Sequence, residues 1–197
     1  PPCPLTPAEV RRLRMAGQQS PADTLLPALV AMALAGASST EIARLKVGDY
    51  VPEIQALRLG GRGQRAPRAA ELDEHAARVL GAHVRALSKA AARRKFAFDP
   101  AVTPLALPTS PRTHRTRVDP TAVGQHMYRA LHAAGIKRDG VTPGSMQEYA
   151  ANRCYALTNR VEDVAALLGL KSLDAAMTYI DPTWQETWAD TIRGQQA

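Results

Sequence analysis

Aromatic residues are scarce in this 197-residue chain, which holds two Phe, two Trp and five Tyr. A core with so few rings, in a chain rich in alanine, is expected to be helix packed on helix through small and aliphatic side chains. Cysteine is nearly absent too. Cys3 and Cys154 are too few and too far apart for a disulfide framework, and no CxxC pair offers a thiolate metal site. A reducing, cytoplasmic setting is expected, with no metal and no cofactor. Long apolar runs are also lacking. The longest, Leu25 to Gly36, contains Pro27 and is too short to span a bilayer, so no membrane partner is expected. No basic-then-apolar leader opens the chain. It starts at Pro1 without a methionine, which reads as a fragment with an upstream part. Internal repeats and low-complexity tracts are absent.

What is present is positive charge. A formal net charge of +7 and a pI near 9.8 point to an anionic partner, nucleic acid first. The length suits one well-buried domain, expected to run over residues 1–197.

Capping signals divide the chain into helices. Thr6-Pro7-Ala8-Glu9 predicts a helix to about Gly17, and Ser20-Pro21-Ala22-Asp23 a second, apolar helix ending near Gly36. Ser38-Ser39-Thr40-Glu41 caps a short third helix with Ile42 and Leu45 inward. Val47 to Glu53 reads as a turn. Ile54 to Leu59 alternates as a strand, Gly60 to Gly63 turns, and Arg65 to Leu72 returns as a second strand. Asp73 caps a long helix from Glu74 to about Lys95 with a stripe of Val79, Leu80, Val84 and Leu87. Phe96 to Val118 is irregular, with a short strand predicted at Leu105 to Leu107. Helices follow from Asp119-Pro120 to Gly135, from Thr142-Pro143 to about Leu157, and from Val161 to Leu168. Gly169 then stops a helix, Ser172 caps a short one, and Tyr179 closes it. Asp181-Pro182-Thr183 caps a last helix to about Arg193. The expected class is mainly α with a small antiparallel β-hairpin, an α+β fold.

Other chemistry finds little footing. Gly61-Arg62-Gly63-Gln64-Arg65-Ala66 fits GxGxxA, but Pro67 and an Arg-rich alternation follow it where a dinucleotide site needs a helix. His75, His83, His114, His126 and His132 have no ligand spacing and are expected to be surface or hydrogen-bonded histidines. Ser145 has no G-x-S-x-G elbow.

Four boxes, in order, carry a resemblance. Leu34-Ala35-Gly36-Ala37-Ser38-Ser39-Thr40-Glu41-Ile42 resembles A-T-G-x-R-x-S-E-L. Gly61-Arg62-Gly63-Gln64-Arg65 stands at the place of G-K-G-x-K/R. Gly140 to Glu148 resembles G-I-T-P-H-x-L-R-H, and Leu167-Leu168-Gly169-Leu170 resembles L-L-G-H. Tyr179 follows Leu170 by nine positions. Together they resemble the catalytic domain of the tyrosine recombinases, the phage-integrase family, over nearly the whole chain. That resemblance implies the fold, a DNA partner, and an upstream DNA-clamp domain.

Members of that family cut DNA through a phosphotyrosyl intermediate, the phosphate held by two arginines and assisted by a lysine and two histidines. A phenol is a weak nucleophile, and the transition state loads charge onto oxygens that need cationic donors. At the matching positions this chain has Ser38 and Gln147 for the arginines, Arg62 for the lysine, and Gly144 and Leu170 for the histidines. Only Tyr179 is kept. Arg62 is a poor proton donor, its pKa exceeding about 12. Each lost donor costs roughly 100- to 1,000-fold in rate, so two lost arginines imply on the order of 10,000-fold. Tyr179 is therefore expected to be a vestigial or packing residue.

The cations that remain cluster in two places. Arg58, Arg62, Arg65 and Arg68 crowd the hairpin, and Arg112, Arg115 and Arg117 crowd the long loop; by resemblance both face DNA. Such contacts hold phosphate without reading sequence. The leading expectation is a domain that binds DNA, or a recombinase-like partner, without cutting. One alternative is an active enzyme whose arginines have moved, with Arg112, Arg115 or Arg153 reaching the pocket. The other is an interaction scaffold without DNA. In that family a C-terminal helix passes to a neighbouring subunit, and Trp184 and Trp188 are candidate anchors for a partner or for an intramolecular lid.

Overall fold

A computed structural model describes residues 2–18, 24–61, 63–94, 97–109 and 119–195. Among the described residues nine α-helices and three strands follow in order: α1 Pro7–Gln18, α2 Leu25–Leu34, α3 Ser39–Ile42, β1 Tyr50–Val51, β2 Ala56–Leu59, β3 Arg68–Glu71, α4 Glu74–Arg94, α5 Pro120–Ala133, α6 Ser145–Thr158, α7 Val161–Leu168, α8 Leu173–Met177 and α9 Pro182–Gly194. The α+β class is as expected.

The caps read from the sequence recur as hydrogen bonds. Thr6 and Glu9 exchange backbone and side-chain bonds at the start of α1, and Ser38 with Glu41 forms the same box at α3. Asp73, Asp119, Ser172 and Asp181 each accept a backbone N–H from the first turn of the helix they precede. Each satisfies a donor that the helix itself leaves open. The second predicted cap, at residues 20–23, lies outside the described residues. The helix after Thr142-Pro143 begins later than expected, at Ser145 with Gly144 as its N-cap.

The strands depart from expectation in three ways. The sheet has three antiparallel strands in the order β1-β2-β3, because Tyr50 and Val51, expected in a turn, pair with Leu57 and Ala56. The β2–β3 pairing sets Leu57 opposite Ala70 and Arg58 opposite Ala69. Residues 52–54 form a 3-10 turn, so β2 is shorter than predicted. Leu105 to Leu107 is no strand. Those residues are buried, and the Leu105 N–H to Leu45 carbonyl and Val47 N–H to Thr103 carbonyl bonds make only an isolated bridge of Pro104 with Lys46. Their apolarity serves burial instead of a ladder.

α2 is the centre of the core. Its residues from Ala28 to Ala33 are all buried, and α1, α4, α5 and α6 pack around it. His83 is fully buried on α4, with one ring nitrogen 2.8 Å from the Leu105 carbonyl and the other 2.7 Å from the Thr24 hydroxyl. A smaller apolar cluster, centred on Val164, Leu168 and Ala176, joins α6, α7 and α8, and Leu170 and Tyr179 pack at its edge.

The C-terminal helix folds back on its own chain. α9 packs along α6. Trp184 is 5% exposed, donates its indole N–H to the Leu5 carbonyl at 2.9 Å, and meets Tyr149 edge-on at 6.0 Å. Trp188 is half-buried against the same core. An indole with its N–H spent and its face covered is not available to a partner. Trp184 therefore serves as an intramolecular cover, while Trp188 stays partly exposed.

Candidate functional site

The α7–α8 connection is built to receive the β-hairpin. Gly169 ends α7 at φ +68°, and a Cβ there would lie 2.7 Å from Arg68 Nη1 and 2.8 Å from the Ala66 carbonyl. Glycine is thus required by conformation and by contact. Into that space comes the chain before β3. The Ala66 N–H bonds the Gly169 carbonyl at 2.7 Å, Arg65 forms an antiparallel bridge with Leu170, and Lys171 Nζ donates to the Gly63 carbonyl at 3.1 Å. At the neck of the hairpin, Gly61 has φ +65° and a Cβ would sit 2.5 Å from the Ala66 backbone. The hairpin and the tyrosine segment are one joined wall.

Tyr179 stands just past α8, half-buried. Its hydroxyl oxygen accepts from Arg65 Nη2 at 3.3 Å, while Arg65 Nη1 donates to the Leu168 carbonyl at 2.5 Å. Its backbone is tied by Asn152, a fully buried residue that sequence reading passed over. Asn152 Nδ2 donates to the carbonyls of Tyr179 and Glu148, and its Oδ1 accepts from the Asp181 N–H and the Gln185 amide. A polar residue directly after the buried Ala150-Ala151 pair is the one signal that marks it.

The positions expected to hold a phosphate are otherwise engaged. Ser38 is a helix cap: its Oγ accepts from the Glu41 N–H at 3.3 Å and donates to Glu41 Oε2 at 2.8 Å. Gln147 donates its amide to the Gly36 carbonyl at 2.8 Å. Gly144 is exposed at φ −63°, a conformation open to any residue, so the backbone does not demand the glycine. Leu170 lends its N–H to the Ala165 carbonyl and its side chain to the small apolar cluster.

The hairpin arginines have different fates. Arg68 is drawn inside. Its side chain is 7% exposed beside a Glu41 side chain at 8%, and its guanidinium bonds both Glu41 oxygens, the Gly36 carbonyl and the Leu167 carbonyl. The expected phosphate contact at Arg68 is replaced by a brace between α3, β3 and α7. Burial alone raises the Glu41 carboxyl, but hydrogen bonds from Arg68 and Ser38 outweigh it and hold the group below the usual carboxylate range. Arg58 is exposed, and neither it nor Arg44 has a hydrogen bond or ion pair among the described residues. Arg62, Arg112, Arg115 and Arg117 lie outside the described residues. Arg153, half-buried on α6, does not line the cleft beside Tyr179; its charge only offsets part of the upward push that burial gives the Tyr149 hydroxyl.

Two open clefts flank Arg65. The first, about 460 Å³, lies between α3 and the hairpin and is lined by Arg44, Arg58 and Arg65 with Ser38, Glu41 and Asp49 among its other walls. The second, about 540 Å³, is lined by Pro2, Gly144, Gln147, Glu148, Thr178 and Tyr179. No cation lines the second cleft among the described residues, and Glu148 places a carboxylate there. Among the described residues no group of His, Cys, Asp or Glu side chains is placed to hold a metal ion, and no helix is long and apolar enough to cross a membrane.

Helices packed around α2, a three-stranded sheet with its hairpin laid on the α7–α8 turn, and a tyrosine just beyond that turn are the fold of the tyrosine-recombinase catalytic domain. Its likeness to three solved structures is specific. XerA recombinase is 20% identical with a TM-score of 0.76, covering 98% of this chain and 65% of that one. A lambda integrase dimer bound to a COC′ core site is 19% identical with a TM-score of 0.65, covering 91% and 48%. XerH site-specific recombinase bound to palindromic difH substrate, a post-cleavage complex, is 16% identical with a TM-score of 0.68, covering 95% and 52%. The chain therefore spans between about half and two thirds of the length of these proteins. No protein-family model matches the chain, and no curated protein matches it in sequence.

Proposed function

We propose that this chain binds the DNA backbone through its hairpin face and does not cut DNA through Tyr179. The observation that carries the reading is the unequal charge of the two clefts among the described residues: Arg44, Arg58 and Arg65 line the hairpin side, while the tyrosine side is lined by no cation and meets one only where Arg65 touches the Tyr179 hydroxyl. A phosphoryl transition state needs preorganised cations at the oxygens that gain charge. Gln147 and Ser38 supply none and are held by Gly36 and Glu41. Among structures of similar fold, a Tn1549 transposon integrase is described as in complex with a circular intermediate DNA, lambda integrase as bound to a COC′ core site and XerH as bound to palindromic difH substrate, which supports the partner. Binding by fluorescence anisotropy of a labelled duplex across a salt series tests it. Log affinity falls linearly with log salt if phosphates are held; affinity that is absent or indifferent to salt contradicts the reading.

A second reading has one observation of its own, the 3.3 Å contact of Arg65 with the Tyr179 hydroxyl. It makes Arg65 a relocated guanidinium for an active nucleophile. A nicked duplex that traps a covalent adduct, lost in Tyr179→Phe, would establish that enzyme. A recombinase-like protein partner on DNA is compatible with the first reading and would show as a larger complex on the same duplex.

A further inference from the structure

We infer that the cleft between α3 and the hairpin seats a DNA backbone phosphate held by Arg44 and Arg58, with Arg65 closing one end. This rests on the DNA-binding reading above and names its contact point. Arg44 falls on no box of the sequence resemblance; the fold alone brings it beside the hairpin. It follows α3, two residues past Ile42, and lines with Arg58 of β2 the same cleft of about 460 Å³, a volume ample for a phosphodiester group.

The charge balance favours an anion. Of the two acids in the cleft wall, Glu41 has both oxygens engaged by Arg68 and Ser38, and Asp49 Oδ2 accepts the Lys46 N–H at 2.8 Å. Neither makes an ion pair with Arg44 or Arg58 among the described residues. Two guanidiniums left without a protein partner in one concavity repel each other, and a phosphate is the group that their forked donors fit. Arg65 differs. Its two Nη groups already hold the Leu168 carbonyl and the Tyr179 hydroxyl, so it bounds the cleft and fixes the wall. The contact is to backbone and confers no sequence reading.

The test is the salt slope of duplex binding for the whole chain and its variants. Each phosphate contact removed should make the log–log slope shallower by about 0.9. The double variant Arg44→Ala/Arg58→Ala, which removes that one contact, should lose about that much, and each single variant, which leaves one guanidinium on the phosphate, should lose less. Arg44→Lys and Arg58→Lys should keep the slope, because the slope counts charge. Both side chains lack protein partners, so a circular-dichroism melt should match the parent and separate a binding effect from misfolding. A parent slope unchanged in the double variant overturns this inference while leaving DNA binding intact. A parent that does not bind overturns both.

Discussion

The two clefts beside Arg65 share a wall, yet they differ in what they offer a phosphate. On the hairpin side, Arg44 and Arg58 are exposed and have no partner among the described residues. On the tyrosine side, the cleft is lined by an amide, a glycine and a carboxylate among others, and the one guanidinium on the tyrosine hydroxyl, Arg65, is also bonded to the Leu168 carbonyl. The difference lies in what each side chain is bonded to, since Arg68 stands on the same hairpin and is wholly consumed by Glu41 and two carbonyls. A cationic stretch of sequence is therefore two things in space, a brace and a binding surface. Only the second explains a net positive charge as function.

The comparison breaks most readily at the shared wall. Arg68→Ala leaves Glu41 buried without its partner, and removal of one member of a buried pair costs about 3–5 kcal/mol. Urea unfolding should show it, and a loss below about 1 kcal/mol would mean that the wall is held by something else. The same pair gives a pH dependence. Glu41 is held below the usual carboxylate range, so its stabilising contribution is present above that range and is lost as pH falls through its folded value. Acid unfolding of the parent should be steeper below the usual carboxylate range than that of Arg68→Ala.

The tyrosine side is tested next by Asn152→Ala. It removes the side chain that ties Tyr179 and Asp181 to α6, and leaving such buried groups unpaired costs about 1–3 kcal/mol. Hydrogen exchange should quicken at residues 178–182 while the α4 amides keep their protection. A smaller effect is expected from Ser38→Ala, about 1 kcal/mol, the value of a helix cap. Its duplex affinity should stay within about twofold of the parent once folded protein is counted, since the serine serves Glu41 and its own helix; a tenfold loss at equal folding would make it a phosphate ligand. The smallest effect belongs to Tyr179→Phe, which should leave the salt slope of duplex binding unchanged if the hairpin side carries the DNA.

Much of the fold was legible because its signals are local. A cap is a side-chain oxygen two or three residues from the N–H it serves, so Thr6, Ser38, Asp73, Asp119, Ser172 and Asp181 announce their helices. β1 was not legible: a two-residue strand owes its existence to Ala56 and Leu57 alongside it. The apolar residues Leu105 to Leu107 misled because burial beneath Leu45 and His83 leaves the same mark as a strand. Trp184, open to two readings in sequence, is held by the chain's own N-terminal segment, where the Leu5 carbonyl takes the indole N–H. At the candidate site the substitutions at Ser38, Gly144, Gln147 and Leu170 were visible as residues, but not what each is bonded to. Arg58 and Arg68 look alike in sequence, and only the position of Glu41 separates the exposed one from the brace. Arg44 and Asn152 carry no local signature of comparable strength, since their surroundings come from elements far along the chain.

The central claim, binding on one side of Arg65 without chemistry on the other, comes down to one labelled, nicked duplex incubated with the chain and divided between a native and a denaturing gel. A shifted band that weakens with salt is expected on the native gel, and free DNA alone on the denaturing gel. A band that survives denaturation and vanishes in Tyr179→Phe would contradict the claim.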